Sequence, residues 1–430
     1  MNEELLSFLE NSPTCFHAIA NIRAILEGNG YHELNEAARW TLEEGGKYYT
    51  TRNGSSLIAF QIPTKQYEGF MIGASHCDSP AFKVKENPEL VSGGYTRLNV
   101  EGYGGMLCAP WFDRPLSLAG RIVARNGDTM ETRLVNFDRD LLMIPSLAIH
   151  MDRTANKGHE YNVQKELCPI LGEESEKGIL LKMLAEETGV PEEDILGQDL
   201  FLYARVKGSV WGRNGEFLSA GHLDDLQCTY GNLKGFLASS ASKSVPVLAV
   251  FDNEEVGSMT KQGAFSTFLQ DVLERISIAC GRSEEERRAF PASSFMVSAD
   301  NAHAIHPNYT EKADPVNRPL MNKGIVIKYS ANQKYTTDAV SAAIFKQICT
   351  KANVPYQIFT NRSDMVGGST LGNLSNVHVS LNTVDIGLAQ LAMHSPYETA
   401  GTKDTQYLAD AMKVFFSSSI QAKGSSYTLQ

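Results

Sequence analysis

Hydrophobic positions in this chain follow two patterns. Three short unbroken apolar runs, Gly-Phe-Met-Ile-Gly-Ala-Ser (69–75), Pro-Val-Leu-Ala-Val-Phe (246–251) and Ser-Phe-Met-Val-Ser-Ala (294–299), are bounded by Gly, Ser and Pro. Runs of this kind read as strands of a parallel sheet buried on both faces. Between them lie stretches with helical spacing: 3–10, 15–29, 225–239, 261–274, 337–352 and a closing helix within 398–421. Asn11-Ser12-Pro13 separates the first two, and Gly28, Asn29 and Gly30 end the second. YYTTRNGSSLIAFQI (48–62) carries an Asn53-Gly54 hairpin signal, and GIVIKYS, YQIFT and SNVHVSLNTVDIG supply further strands. Strands alternating with helices predict an α/β fold with a mostly parallel sheet.

Residues 90–215 differ in character. Gly93-Gly94 and Gly104-Gly105 punctuate them, and LSLAGRIVARNG and TRLVNF read as antiparallel strands around an Asn126-Gly127 turn. LLMIPSLAIHM (141–151) reads as a strand and turn, about 174–188 and 191–196 as helices, and FLYARV as a strand. No acidic cluster stands at a strand end here. The expectation is an inserted β-rich domain over 90–215 that splits a catalytic domain into 1–89 and 216–430. The last six residues read as a mobile tail.

Composition narrows the field. The 430 residues are 42% hydrophobic and 21% charged, ordinary for a globular protein with a large core. A net charge of −11 with no basic run argues against nucleic acid and anionic membrane as partners. Seven scattered cysteines without a CxxC pair indicate neither a disulfide framework nor a thiolate zinc site. The acidic amphipathic opening lacks the features of a secretory signal, so a cytoplasmic location is expected.

The chemistry gathers where the apolar runs stop. The first run leads into His76-Cys77-Asp78, the second into Asp252-Asn253-Glu254-Glu255, and the third into Asp300. Ligands of open α/β sheets bind at the carboxyl ends of strands. His76 and Asp78, two apart in extended backbone, share a side, so Asp78 can hold the second nitrogen of a metal-binding imidazole. A plain His-Asp turn before Pro80 is an equal alternative. Two adjacent buried carboxylates, Glu254 and Glu255, suit a ligand and a base side by side. A solvated acidic helix start is the competing reading. Asp224, in His-Leu-Asp-Asp, and Asp300 could each be helix caps, and His394 a core histidine. Taken together, two His and three carboxylates with a spare Glu suit Zn²⁺, with Mn²⁺ or Co²⁺ as substitutes.

Eight segments, SPTCFHAI, SHCDSP, WFDRPLSLAGR, LAIH, LDDL, DNEEVGS, SADNAHAIHPNY and LAMHS, occur in an order that resembles the M18 metallo-aminopeptidases, the aspartyl aminopeptidase family. The resemblance covers nearly the whole chain. It implies a zinc-peptidase-like sheet with flanking helices, of the phosphorylase/hydrolase-like type, plus an inserted β-rich dimerisation domain. It also implies two Zn²⁺ per subunit. His76 and Asp300 would hold one, Glu255 and His394 the other, and Asp224 would bridge them. Glu254 would be the general base on a bridging water, with Asp78 beside it in the catalytic set. His150 would contact substrate near the oxyanion from across a dimer interface, or serve as an alternative ligand. Lys328, Tyr335 and Met393 match positions around the pocket for the substrate's N-terminal side chain. His303 and His306 match the motif as supporting residues. The implied substrates are peptides with acidic or broader N-terminal residues, and the implied assembly is a tetrahedral dodecamer built from dimers. His222 and Asp225 depart from the family's usual residues beside Leu-Asp, and 362–368 departs from its usual pattern; both loosen the expectation of acid specificity. A carboxypeptidase or deacylase with similar ligands and an inert shell-forming protein are the alternatives.

Overall fold

The three apolar runs lie at the middle of one nine-stranded sheet in the computed structural model, which describes residues 1–174, 177–240 and 242–430. The sheet order is His32–Glu33, Lys47–Arg52, Ser56–Gln61, Val245–Phe251, Phe70–His76, Phe295–Ala299, Asn382–Gly387, Ile325–Tyr329, Tyr356–Thr360. Its four central strands, from Val245–Phe251 to Asn382–Gly387, are mutually parallel, with Phe251 opposite His76 and Ser298 opposite Ala74. Parallel pairing therefore brings the polar residues after each run to one edge. The outer pairings are mixed: Ser56–Gln61 and Ile325–Tyr329 join antiparallel.

The runs lack polar alternation because both sheet faces are covered. Met71, Leu248 and Val250 join one core with helices Cys15–Gly28, Leu223–Leu237, Ala339–Ala352 and Asp404–Phe416. Ile72, Val247 and Ala249 join a second core under helix Phe268–Ala279. Gly73 lets the C-terminal helix approach: a Cβ there would lie 2.5 Å from the Phe416 ring and 2.9 Å from Met412.

A separate six-stranded antiparallel sheet has the order Thr129–Asn136, Leu116–Asn126, Ile195–Ala204, Ala81–Ser92, Tyr95–Tyr103, Ile170–Glu173. Its own core includes Phe82, Trp111, Leu118 and Leu200. Its strand Ala81–Ser92 starts ahead of the 90–215 span expected from sequence. A third, five-stranded sheet ties Ser209–Trp211 and Phe217–Ala220 to Glu398–Gly401, Ala389–Leu391 and Ala302–His303.

Several local expectations change. The helix expected at 191–196 is a short turn, Glu192–Asp194, followed at once by strand Ile195–Ala204, which pairs along Leu116–Asn126. Long-range pairing overrides its acidic helical composition. The helix expected from 261 starts at Phe268, after a turn. The helix at about 174–188 is observed over Ile179–Thr188, and positions 175 and 176 lie outside the described residues. The segment 141–151 forms only isolated bridges at Leu142 and Met143. The tail is also structured: Ser426–Leu429 pairs with Ile420–Lys423, and Gln430 and Ser419 exchange backbone hydrogen bonds. No helix among the described residues is long and apolar enough to cross a membrane.

Candidate metal centre

Local sequence explains how each polar residue is aimed. A strand buried on both faces ends where its next side chain must find a polar partner, so His76, Asp252 and Asp300 mark where three strands leave the core. Asn253 takes the left-handed backbone (φ 59°) that Asn tolerates, and the turn Glu254–Val256 follows it. Asp224 and Asp225 open helix Leu223–Leu237 with non-helical backbone, and the peptide between them is cis. His394, also left-handed (φ 68°), lies in the turn after Ala389–Leu391.

These segments converge. Oxygen and nitrogen atoms of His76, Asp224 and Asp300 lie within 4.8 Å of one another, as do those of Asp224, Glu255 and His394. Asp224 belongs to both groups. Its Oδ1 is 3.6 Å from His76 Nε2 and its Oδ2 is 3.4 Å from His394 Nε2. Glu255 Oε2 lies 3.4 Å from the same His394 nitrogen. His76, Glu254 and Glu255 form a further close group.

A cation fits this donor set. Asp224 Oδ1 and Glu255 Oε1 are buried without a hydrogen-bond partner, a costly state that a metal would relieve. Burial and the charges of Asp300, Asp78 and Asp224 push Glu254 up to about 8, against the pull of His76. Burial and neighbouring carboxylates also raise Glu255 and Asp300. Burial pulls His394 down, but the bond and charge of Asp224 outweigh it and lift the imidazole to about 9. Glu254, Glu255 and Asp300 thus hold their protons more tightly until positive charge is added, whereas the two imidazoles, against burial, hold Asp224 below the usual carboxylate range. The donors are imidazole and carboxylate without thiolate, a set that suits Zn²⁺.

Asp78 lies behind this cluster. Its Oδ1 is 3.3 Å from His76 Nδ1 and accepts from the Glu254 N–H at 3.1 Å; its Oδ2 accepts from the Glu255 N–H at 3.1 Å. Asp78 thus orients the imidazole mainly through its backbone carbonyl, 3.1 Å from His76 Nδ1, while its carboxylate holds the backbone of both glutamates.

The remaining expected residues divide. Lys328, Tyr335 and Met393 line a cleft of about 450 Å³ that opens onto Glu254 and Asp300, and His303 lines it too. Lys328 is buried and donates to Asp300 Oδ1 at 3.2 Å and the Asn301 carbonyl at 2.8 Å. Its ammonium is therefore engaged with an acidic member of the cluster before any substrate arrives. Tyr335 stands 5.5 Å from that ammonium, ring toward charge. His306 only supports a turn, accepting from the Asn308 N–H. His150 is not brought to the cluster within one chain; it is exposed on a loop of the six-stranded unit.

Sequence reasoning did not find two residues. Glu398, 2% exposed, accepts from the N–H of Asp224 (2.9 Å) and of His394 (2.7 Å), so one carboxylate ties two distant segments together. Asp225 accepts from the His76 N–H and the Asn301 N–H, both at 3.2 Å. Asp225 stood in the LDDL motif, where a capping role was the ready reading. Glu398 had no local signal.

An α/β sheet with a buried imidazole and carboxylate cradle at its carboxyl edge is the arrangement of a metal-binding protein. The chain belongs to the M18 family of zinc metallo-aminopeptidases: the family described as "Aminopeptidase I zinc metalloprotease (M18)" matches residues 8–416. A probable M18 family aminopeptidase 2 from Clostridium novyi is 47% identical over 421 residues, covering 96% of each chain. One of the same name from Pseudomonas aeruginosa PAO1 is 42% identical over 97% of this chain and 98% of its own. Among solved structures, the Ape4 and Nbr1 complex matches with a TM-score of 0.93 at 36% identity, covering 96% of this chain and 85% of that one. The mApe1 dodecamer from S. cerevisiae matches with 0.84 at 27% identity, covering 96% and 95%.

Proposed function

We propose that the chain is a dinuclear zinc aminopeptidase that removes acidic or broader N-terminal residues from peptides, with Glu254 as general base. The observation that carries this reading is Asp224, whose two oxygens face two different imidazoles at 3.6 and 3.4 Å. A carboxylate so placed can bridge two ions, with His76 and Asp300 on one side and Glu255 and His394 on the other. Bound Zn²⁺ would supply Lewis acidity and ease the ionisation of water.

The chain's own residues do the rest. Glu254 faces the cleft, and burial makes its carboxylate a stronger base than an exposed one. It accepts a proton from the attacking water and passes it to the leaving amine. Asp78 keeps His76 and the glutamate backbone in place. Lys328 donates two bonds within the protein and has a third N–H available for a substrate carboxylate. Tyr335 and Met393 shape the same wall. His150, supplied by a second copy of the chain, would reach the reacting carbonyl and stabilise its negative charge. That role requires a homo-oligomer, which we take to be a tetrahedral dodecamer of dimers joined through an inserted 90–215 unit on a catalytic unit of 1–89 and 216–430. A cytoplasmic location accords with the free thiols of all seven cysteines.

Glu254→Gln tests the central step. It should lower kcat about 10²–10⁴-fold while two zinc ions per chain remain by metal analysis. Turnover near that of the unmodified protein would remove Glu254 from the reaction. A peptide blocked at its amino end should resist hydrolysis; efficient cleavage would favour a carboxypeptidase or deacylase instead.

A further inference from the structure

The strand Tyr95–Tyr103 belongs to the six-stranded sheet, yet its last residues touch the metal cluster. The Tyr103 hydroxyl donates to Asp78 Oδ2 at 2.7 Å and accepts from Asn253 Nδ2 at 2.7 Å. Asn253 has no freedom to turn its amide over. Its Oδ1 already accepts from Thr260 Oγ1 and Gln262 Nε2, both at 2.8 Å. The phenol hydrogen is thereby directed to Asp78. Burial and the charges of Asp78 and Asp252 push the phenol up, so it stays a donor.

Asp78 has little freedom left as a result. One oxygen accepts from the Glu254 N–H and lies 3.3 Å from His76 Nδ1, whose hydrogen bond goes to the Asp78 carbonyl at 3.1 Å; the other serves the Glu255 N–H and Tyr103. Removing the phenol leaves the second oxygen with one bond and lets the carboxylate rotate. The Glu254-Glu255 turn would then lose part of its support and the His76 ring its ionic contact, while the ring keeps its bond to the Asp78 carbonyl.

The next residues reach the other side of the cluster. Gly104 has φ +75°, and a Cβ there would lie 3.1 Å from the Glu255 Cβ. The Gly105 carbonyl lies 2.7 Å from His394 Nδ1. A carbonyl only accepts, so Nδ1 carries a proton and Nε2 is the nitrogen that faces Asp224 and Glu255 and would ligate a bound cation. The Leu107 N–H donates to the His394 carbonyl at 3.1 Å. Tyr103 and the two residues that follow the strand thus support both halves of the cluster.

We propose that Tyr103 is a positioning residue of the metal centre, and that through Tyr103–Gly105 the six-stranded sheet is a structural part of that centre. The inference rests on the metal-site reading above. Tyr103 does not touch the reacting atoms; it acts through Asp78. The ring is anchored independently, edge-on against Phe201 at 5.5 Å. Loss of the hydroxyl can therefore be separated from loss of packing.

Tyr103→Phe in the full-length zinc-loaded protein removes only the hydroxyl. Competition with a chelator should show zinc affinity lowered about 10–100-fold, the range for loss of a group that orients a ligand. At saturating zinc, kcat should fall about tenfold with KM unchanged. Phe201→Leu loosens the same ring but keeps the hydroxyl, and should hold zinc as the unmodified protein does. Equal zinc affinity and kcat in Tyr103→Phe and the unmodified protein overturn the inference alone. Equal losses in Phe201→Leu and Tyr103→Phe overturn the role of the hydroxyl. Unmodified protein that binds no zinc overturns the metal-site reading, and this inference with it.

Discussion

The central strands of the nine-stranded sheet are buried along their whole length, whereas the edge strand Thr129–Asn136 of the six-stranded sheet leaves Met130 71% and Leu134 45% exposed. The first sheet has a core on each face. The few polar groups inside its strands, such as Asp385 and Ser298, are buried, and the imidazole and carboxylate groups of the cluster collect at strand ends, where parallel pairing puts them side by side. The second sheet has one core and spare apolar surface. Leu147, Ile149 and Met151, at 63, 48 and 77% exposure, flank His150 on a loop of that same unit. Enclosure on two faces concentrates chemistry, and enclosure on one leaves surface for association.

Cutting into the second core gives the strongest test of how separate the two sheets are. Phe82 is fully buried and packs edge-on against Trp111 at 5.0 Å. Phe82→Ala should cost about 3–5 kcal/mol by chemical denaturation. Turnover should fall with it, because the Tyr103 strand belongs to that sheet. Full activity in a sample whose six-stranded unit has melted would show the two regions to be independent.

Gly73→Ala probes the two-faced burial of the first sheet. The added methyl meets Phe416 and Met412, so a loss of about 1–3 kcal/mol is expected in the same measurement. A neutral result would mean that the C-terminal helix can move off the strand.

Acid should find a weak point in the first region. Burial pushes His17, on the helix Cys15–Gly28, down from 6.5 to about 4. The unfolded chain takes up this proton near 6.5 and the folded chain only near 4. The stability from this group is complete above about 6.5 and is lost as pH falls toward 4. His17→Gln should flatten that loss by about 2 kcal/mol in paired denaturation curves at pH 7 and pH 4. Parallel curves for the two proteins would remove His17 from the acid response.

The smallest effect on folding is expected at the exposed edge. Met130→Glu with Leu134→Glu should change chain stability by no more than about 0.5 kcal/mol per site, because neither side chain is buried. Sedimentation should nevertheless show smaller particles. An unchanged particle size would place the association surface elsewhere on the molecule.

Much of this arrangement was legible before folding. Unbroken apolar runs announced buried strands, and the His76, Glu254-Glu255 and Asp300 segments stood directly after them. What misled was local composition. The acidic stretch at 191–196 looked helical but entered a strand, because its partner Leu116–Asn126 lies far away in sequence. Lys328 stood in a motif that matched the substrate pocket, but nothing near it in sequence announced that Asp300 and the Asn301 carbonyl would accept from its ammonium.

The chain alone determined which segments would be buried strands, which residues would stand at their ends, and that imidazole and carboxylate would dominate there. Those properties depend on neighbours within a few positions. Only the tertiary structure decided that Glu398 would hold Asp224 from 174 residues away, and that Gly105 would orient His394 from 289. Each such contact requires two backbones to be fixed before the side chains can meet, and no local periodicity records that event.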